Sequence, residues 1–216
     1  VQRAVIIMRA KKVQFDVTYI NLLDKPKWFL DISPHGKVPL LMVENRVLFE
    51  SNAIAEYLDE VVPPQLHPVD PIKKAHNRAW TDFVPEFAKV LGAIGYSKSL
   101  DEMNEALLNA PKVLAKIEEA LINQDEDGPF FNGKKLCLVD AAYAPFLQRY
   151  RLIDKMLNNN VLKNFPHINS WTDNLLSDER VILAVPDNFE EEFLASLIRR
   201  KTYASSFIKD SNLAAE

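Results

Sequence analysis

The chain has 216 residues, 48% hydrophobic and 26% charged, enough for one large domain or two small ones with proper cores. Its 26 Lys and Arg against 30 Asp and Glu give a net charge of −4, which excludes the basic footprint a nucleic-acid binder uses to neutralise phosphates. No apolar run reaches the length of a membrane span, and the single cysteine, Cys137, has no partner for an internal disulfide, so a reducing, cytoplasmic setting is expected.

In chain order, Val1 to Lys11 reads as a helix already under way, with no cap before its first apolar position and with Lys11 and Lys12 suited to a helix C-terminus. Val13 to Asn21 alternates apolar and polar residues (Val13, Phe15, Val17, Tyr19) and reads as a strand. Lys25 to Leu30 reads as a short helix or turn, with Pro26 in its first turn and Asp24 as its cap. Ser33-Pro34-His35-Gly36 is a breaker cluster. Two strands follow, Val38 to Val43 and Arg46 to Phe49, joined by a tight Glu44-Asn45 turn. Ser51 to Val61 is then a helix with Ser51 as N-cap and Ile54, Tyr57, Leu58 and Val61 on one face.

A right-handed crossover helix joins two parallel strands, so the opening helix calls for a strand ahead of it. A strand of usual length and a short loop, roughly ten residues, are therefore expected before Val1. Pro63, Pro64, Pro68 and Pro71 mark a linker, and everything beyond it reads as helical. Trp80, Phe83, Phe87, Val90, Leu91 and Ile94 form one stripe; Met103, Leu107, Ala110, Leu114, Ile117 and Leu121 form another. After a break at Asp125 to Gly133, a helix from Leu138 to Ile153 is apolar on several sides and is expected to be central. Phe165 to Leu176 and Asn188 to Ser206 supply two more. The organisation is a small α/β unit (residues 1–62), a linker (63–71) and an all-helical bundle (72–216).

Three features could carry chemistry. Val38-Pro39 sits where a cis proline fits; a cis bond would turn the Val38 N–H and C=O outward to pair with an extended peptide, the alternative being a proline that only starts an edge strand. At Glu50-Ser51 a strand passes into a helix with no loop. The Ser51 hydroxyl and the free N–H groups of the first turn make an anion site, and Glu50 can accept from an ammonium, so the pair suits an α-amino acid head; alternatively Ser51 is only a cap. Lys25 and Lys37 are cations near the same strand ends, and either could hold a carboxylate at the far end of a peptide or simply face solvent.

Cys137-Leu138-Val139-Asp140 has the spacing of a capping box in which Asp140 must do more of the capping, since cysteine is a poor acceptor. A catalytic role for Cys137 is not expected at a buried helix start with no base beside it. His35, His67, His76 and His167 lack metal-ligand spacing, so no metal is expected.

Gly36-Lys37-Val38-Pro39-Leu40-Leu41, followed after the hairpin by Leu48-Phe49-Glu50-Ser51-Asn52-Ala53-Ile54-Ala55-Glu56-Tyr57-Leu58, resembles the cytosolic glutathione transferases. Asn132-Gly133 ahead of Leu138-Val139-Asp140-Ala141-Ala142 resembles the same family, and Asn21 to Phe29 is similar to its omega-like branch. The resemblance implies a thioredoxin-like N-terminal domain and an all-α C-terminal domain, with glutathione as co-substrate. It implies that Val38 pairs with the cysteinyl part of glutathione beside a cis Pro39. Glu50 and Ser51 would hold the γ-glutamyl amine and carboxylate, and Lys25, ahead of Lys37, the glycyl carboxylate. Arg149 would line the second-substrate pocket, and the catalytic residue, cysteine or serine, would fall a few residues before Val1. The implied activity is conjugation of glutathione to a hydrophobic electrophile, or thiol transfer from a mixed disulfide, in a homodimer. The alternative is a non-enzymatic relative that serves as a binding or regulatory module.

Overall fold

Four consecutive residues near the start of the chain, Val5, Ile6, Ile7 and Met8, are all buried. At about 100° per residue they cannot share one face of a helix, so their helix needs partners on more than one side. The computed structural model, which describes residues 1–208, supplies them. α1 (Gln2–Ala10) packs against α3 (Ser51–Val61) on one flank and α8 (Leu138–Leu157) on the other. It has no capping side chain, so packing rather than its ends holds it.

The N-terminal part is α/β. β1 (Leu40–Val43) and β2 (Arg46–Phe49) pair antiparallel, with Leu40 opposite Phe49 and Val43 opposite Arg46. Glu44 and Asn45 both have positive φ, 48° and 66°, which a two-residue turn matched to the strand twist requires. β1 begins at Leu40, two residues later than expected. Val13 to Asn21 is not a strand. Val13 and Phe15 pack inward, but Val17 and Tyr19 are exposed, and among the described residues the sheet consists of β1 and β2. Alternation directs side chains; a strand exists only through hydrogen bonds to a neighbour. α2 (Lys27–Ile32) starts one position past Pro26, which takes the N-cap place itself, so Asp24 caps nothing.

The proline-rich stretch after α3 is held in place by side chains. Lys11, read from the sequence as suited to the C-terminus of α1, is buried, and its Nζ donates to Val62 O at 2.5 Å and Pro64 O at 2.9 Å while pairing with Asp59 Oδ1 at 2.9 Å. Asp59 also accepts the N–H groups of Leu66 and His67. α4 (Pro71–Asp82) follows, capped by Asp70, which accepts from Ile72 and Lys73 N–H.

The remaining helices are α5 (Val84–Gly95), α6 (Leu100–Asn109), α7 (Pro111–Ile122), α8, α9 (Pro166–Ser177), α10 (Glu179–Ile182) and α11 (Phe189–Arg199). Each of the two long expected stripes is split in two. Pro85 has no N–H for the carbonyl of Thr81, and Pro111 none for Leu107, so one helix ends and the next begins at Phe83 and at Ala110. The helix expected to run to Ser206 ends at Arg199, where Lys201 turns left-handed (φ 51°). Residues 209–216 of the expected bundle lie outside the described residues.

α8 is the central helix. Ala141, Ala142, Tyr143, Ala144 and Leu147 are fully buried, and the small residues let neighbouring helices come close. At its start Asp140 accepts from Cys137 N–H (2.7 Å), Phe131 N–H (2.9 Å) and Trp171 Nε1 (2.7 Å). The capping box is complete, with Cys137 in the cap position.

Candidate functional site

The site is built where the breaker cluster meets the hairpin. Ser33, at the end of α2, is buried; its Oγ accepts from Lys37 N–H at 3.1 Å and donates to Lys37 O at 3.3 Å. Gly36 within this loop has φ +58°, a left-handed conformation that suits glycine. The loop thus delivers Val38 to a fixed position, and the Val38–Pro39 peptide is cis. Val38 precedes the ladder, and neither its N–H nor its C=O bonds to any of the described residues. One edge of backbone is left open to an extended ligand.

At the other end of the hairpin, Glu50 is the residue that turns the chain from β2 into α3 with no intervening loop. Its φ of 64° and ψ of 120° lie outside the regions a non-glycine residue ordinarily occupies, a conformation that costs about 1–3 kcal/mol. Glu50 takes the N-cap position, and Ser51, expected there, is the first helical residue, with no side-chain cap in place. The first intrahelical bond runs from Ile54 N–H to Glu50 O, so the N–H groups of Ser51, Asn52 and Ala53 point out of the helix end, carrying its partial positive charge. A half-buried hydroxyl and three free donors stand beside an exposed carboxylate.

Lys37, Val38, Pro39 and Glu50 line one shallow groove, together with Ser33, His35 and Phe49, and Ser51 borders it as the residue after Glu50 without being among its lining. The His35 ring stands edge-on to Phe49 at 5.3 Å. Sequence reasoning missed these last three. Ser33 and His35 lay in a cluster read only as a breaker, and nothing local signals that a hydroxyl will pin a backbone four residues on. Lys25, half-buried ahead of α2, is not among the groove-lining residues, whereas Lys37 is. Arg149 lies elsewhere, on α8 where it meets α1: its Nη1 donates to Gln2 Oε1 at 3.0 Å and Pro145 O at 2.7 Å.

Cys137 cannot supply a nucleophile. It is buried, and burial pushes its thiol well above the ordinary value, with ionised Asp140 beside it adding to the shift. Among the described residues no group of three or more His, Cys, Asp or Glu is placed to hold a metal ion, and no helix is long and apolar enough to cross a membrane. A separate small hollow between α7 and α9, near His167 and Trp171, contains none of the expected site residues.

Residues 1–61 match the family described as Glutathione S-transferase, N-terminal domain, and residues 96–182 match Glutathione S-transferase, C-terminal domain. Over 213 residues the chain is 30% identical to glutathione S-transferase U16 of Arabidopsis thaliana, covering 94% of this chain and 91% of that one. The chain belongs to the glutathione S-transferase family. The transferase is also 27% identical over 179 residues to glutathione S-transferase omega-1 of Rattus norvegicus, with 82% of this chain and 72% of the relative covered. Among solved structures, the Tau class enzyme from mango, Mangifera indica, superposes with a TM-score of 0.80 at 26% identity, covering 93% of each chain. Rice GST1, solved in complex with glutathione, superposes with a TM-score of 0.76 at 25% identity, covering 94% of this chain and 92% of that one. The transferase thus has the fold of its family: a small thioredoxin-like N-terminal part and a mostly helical C-terminal part.

Proposed function

We propose that this transferase binds glutathione extended along Val38 and joins its sulfur, still part of the tripeptide, to a second substrate. The cysteinyl amide pairs with the Val38 backbone beside Pro39. The γ-glutamyl carboxylate takes the Ser51 hydroxyl and the free N–H groups of α3, and its ammonium takes Glu50. The glycyl carboxylate meets a lysine; Lys37 is favoured by its place in the groove and Lys25 by the omega-like resemblance. The observation that carries this reading is the joining, in one groove, of an unpaired backbone edge at Val38 with the carboxylate of Glu50, the residue from which the α3 N-terminus at Ser51 begins.

Two reactions fit a bound glutathione thiolate. It attacks an electrophilic carbon, forming a thioether as the leaving group departs with its electron pair. Or it attacks a mixed disulfide, forming a new S–S bond as the other thiolate leaves. The buried Cys137 takes part in neither. Arg149, with α5 and α8, is proposed to border the second substrate. The proposed units are residues 1–62 for glutathione, a linker at 63–71 and a helical unit at 72–216; a homodimer in the cytoplasm is the setting that suits them.

Replacing Glu50 or Ser51 by alanine is expected to weaken glutathione binding about three- to tenfold, each losing one charge-assisted contact, without a change in thermal stability beyond a degree or two. Titration calorimetry on the full chain reads this directly. Unchanged affinity in both variants sinks the assignment. Turnover of an activated aryl chloride against reduction of a mixed disulfide then separates the two reactions.

A further inference from the structure

We infer that Ser33 is a positioning residue for glutathione: its hydroxyl fixes the peptide group that carries the Val38 N–H. The inference rests on the glutathione reading above and adds to it a residue that acts without touching the ligand.

Ser33 is itself anchored. It ends α2, where its N–H donates to Phe29 O at 2.9 Å, and Phe29 is buried. Pro34 restricts the residue before it to extended backbone, and Ser33 sits at φ −91° and ψ 112°. From this fixed place the buried Oγ takes both backbone groups of Lys37, accepting from its N–H at 3.1 Å and donating to its O at 3.3 Å. Gly36 closes the turn between them, its N–H donating to Ser33 O at 3.3 Å. A hydroxyl has one hydrogen, and here Lys37 O takes it. Ser33 therefore has nothing left to donate to a ligand, although it lines the groove.

Lys37 O belongs to the Lys37–Val38 peptide. Among the described residues the cis bonds are Val38–Pro39 and Pro63–Pro64, so this peptide is trans. Its C=O and N–H lie in one plane and point in opposite directions. Holding Lys37 O thus turns the Val38 N–H away from Ser33. That N–H bonds to none of the described residues, and Val38 lines the groove. One buried hydroxyl sets the direction of the donor that the cysteinyl part of glutathione meets. Without it the peptide plane is free to tilt, and ordering it on binding costs affinity.

The test uses the full chain, by calorimetry and amide-resolved NMR. In the free, unsubstituted protein the Lys37 N–H is expected to exchange with deuterium at least about tenfold more slowly than the Val38 N–H, relative to their intrinsic rates. Saturating glutathione is expected to slow Val38. Ser33→Ala is expected to weaken glutathione binding about tenfold, and Ser33→Thr, which keeps the hydroxyl, to recover most of that loss. With glutathione saturating, Ser33→Ala is also expected to lose the slowing at Val38 yet keep the glutathione-induced shifts of Ser51 and Asn52. A general loosening of the fold does not produce that split.

An affinity of Ser33→Ala within about twofold of the unsubstituted protein overturns the inference, as does a Ser33→Thr that binds no better than Ser33→Ala. Equal exchange of Lys37 and Val38 in the free protein overturns it even if neither variant folds. An unsubstituted protein that does not bind glutathione, or binds it without affecting Val38, removes the glutathione reading and this inference together. Normal binding that Ser33→Ala leaves unchanged removes only this one.

Discussion

Replacing Asp140 by alanine is expected to cost about 3–5 kcal/mol of folding stability. The carboxylate is fully buried and accepts three hydrogen bonds, from Cys137 N–H, Phe131 N–H and Trp171 Nε1. Burial pushes its pKa up, and the three donors oppose that shift. Alanine leaves all three donors without a partner in a dry interior, at about 1–3 kcal/mol each before relaxation. The three donors come from the loop before α8, from the cap of α8 and from α9, so the loss is shared by the centre of the helical part. For a chain of this size the cost corresponds to a fall of roughly 10 °C in the unfolding midpoint. Asp140→Asn keeps one acceptor oxygen and is expected to lose less. A fall of under about 3 °C for the alanine variant would contradict this account of the cap.

Lys11→Met is expected to cost a similar amount, about 3–5 kcal/mol, because it strands a buried charge. The Lys11 side chain has no exposed surface and Asp59 almost none. Methionine fills much of the volume but offers nothing to Asp59 or to the carbonyls of Val62 and Pro64. Asp59 keeps the N–H groups of Leu66 and His67, which hold part of its charge but not all of it. A second substitution, Asp59→Leu, made on top of Lys11→Met, removes the unpaired charge but also strands the Leu66 and His67 N–H groups, so the double variant is expected to lose less than the sum of the two single losses. Urea unfolding of the three variants measures the difference. A double variant weaker than Lys11→Met by the full cost of a second independent site would show that the two groups are not a pair.

Both of these interactions were hidden from sequence reasoning in different degrees. Asp140 could be read as a cap because the box is local, three residues from Cys137; its bond to Trp171 joins residues 31 apart and has no local trace. Lys11 looked like a cation at a helix end, and only the return of the chain at Val62 and Pro64 makes it a core group. The hairpin was legible because Glu44-Asn45 must adopt positive φ, and few residue pairs do so between apolar runs. The breaks at Pro85 and Pro111 were overlooked because the apolar stripes continue across them: hydrophobic period reports the buried face, not the continuity of hydrogen bonds. The N-terminus of α9 shows the same limit, since its free His167 and Ile168 N–H groups are capped by Glu118 from α7. Within the site, Val38, Glu50 and Ser51 stood out as a motif, whereas the role of Ser33 and the unusual backbone of Glu50 needed coordinates.

The most direct measurement is an amide-resolved NMR titration of the full chain with glutathione. If the tripeptide lies along the hairpin with its amino-acid end on α3, the largest shifts fall on Val38, Ser51 and Asn52. Shifts that spare these three amides and gather instead around the hollow between α7 and α9, or no shifts at all, would contradict it.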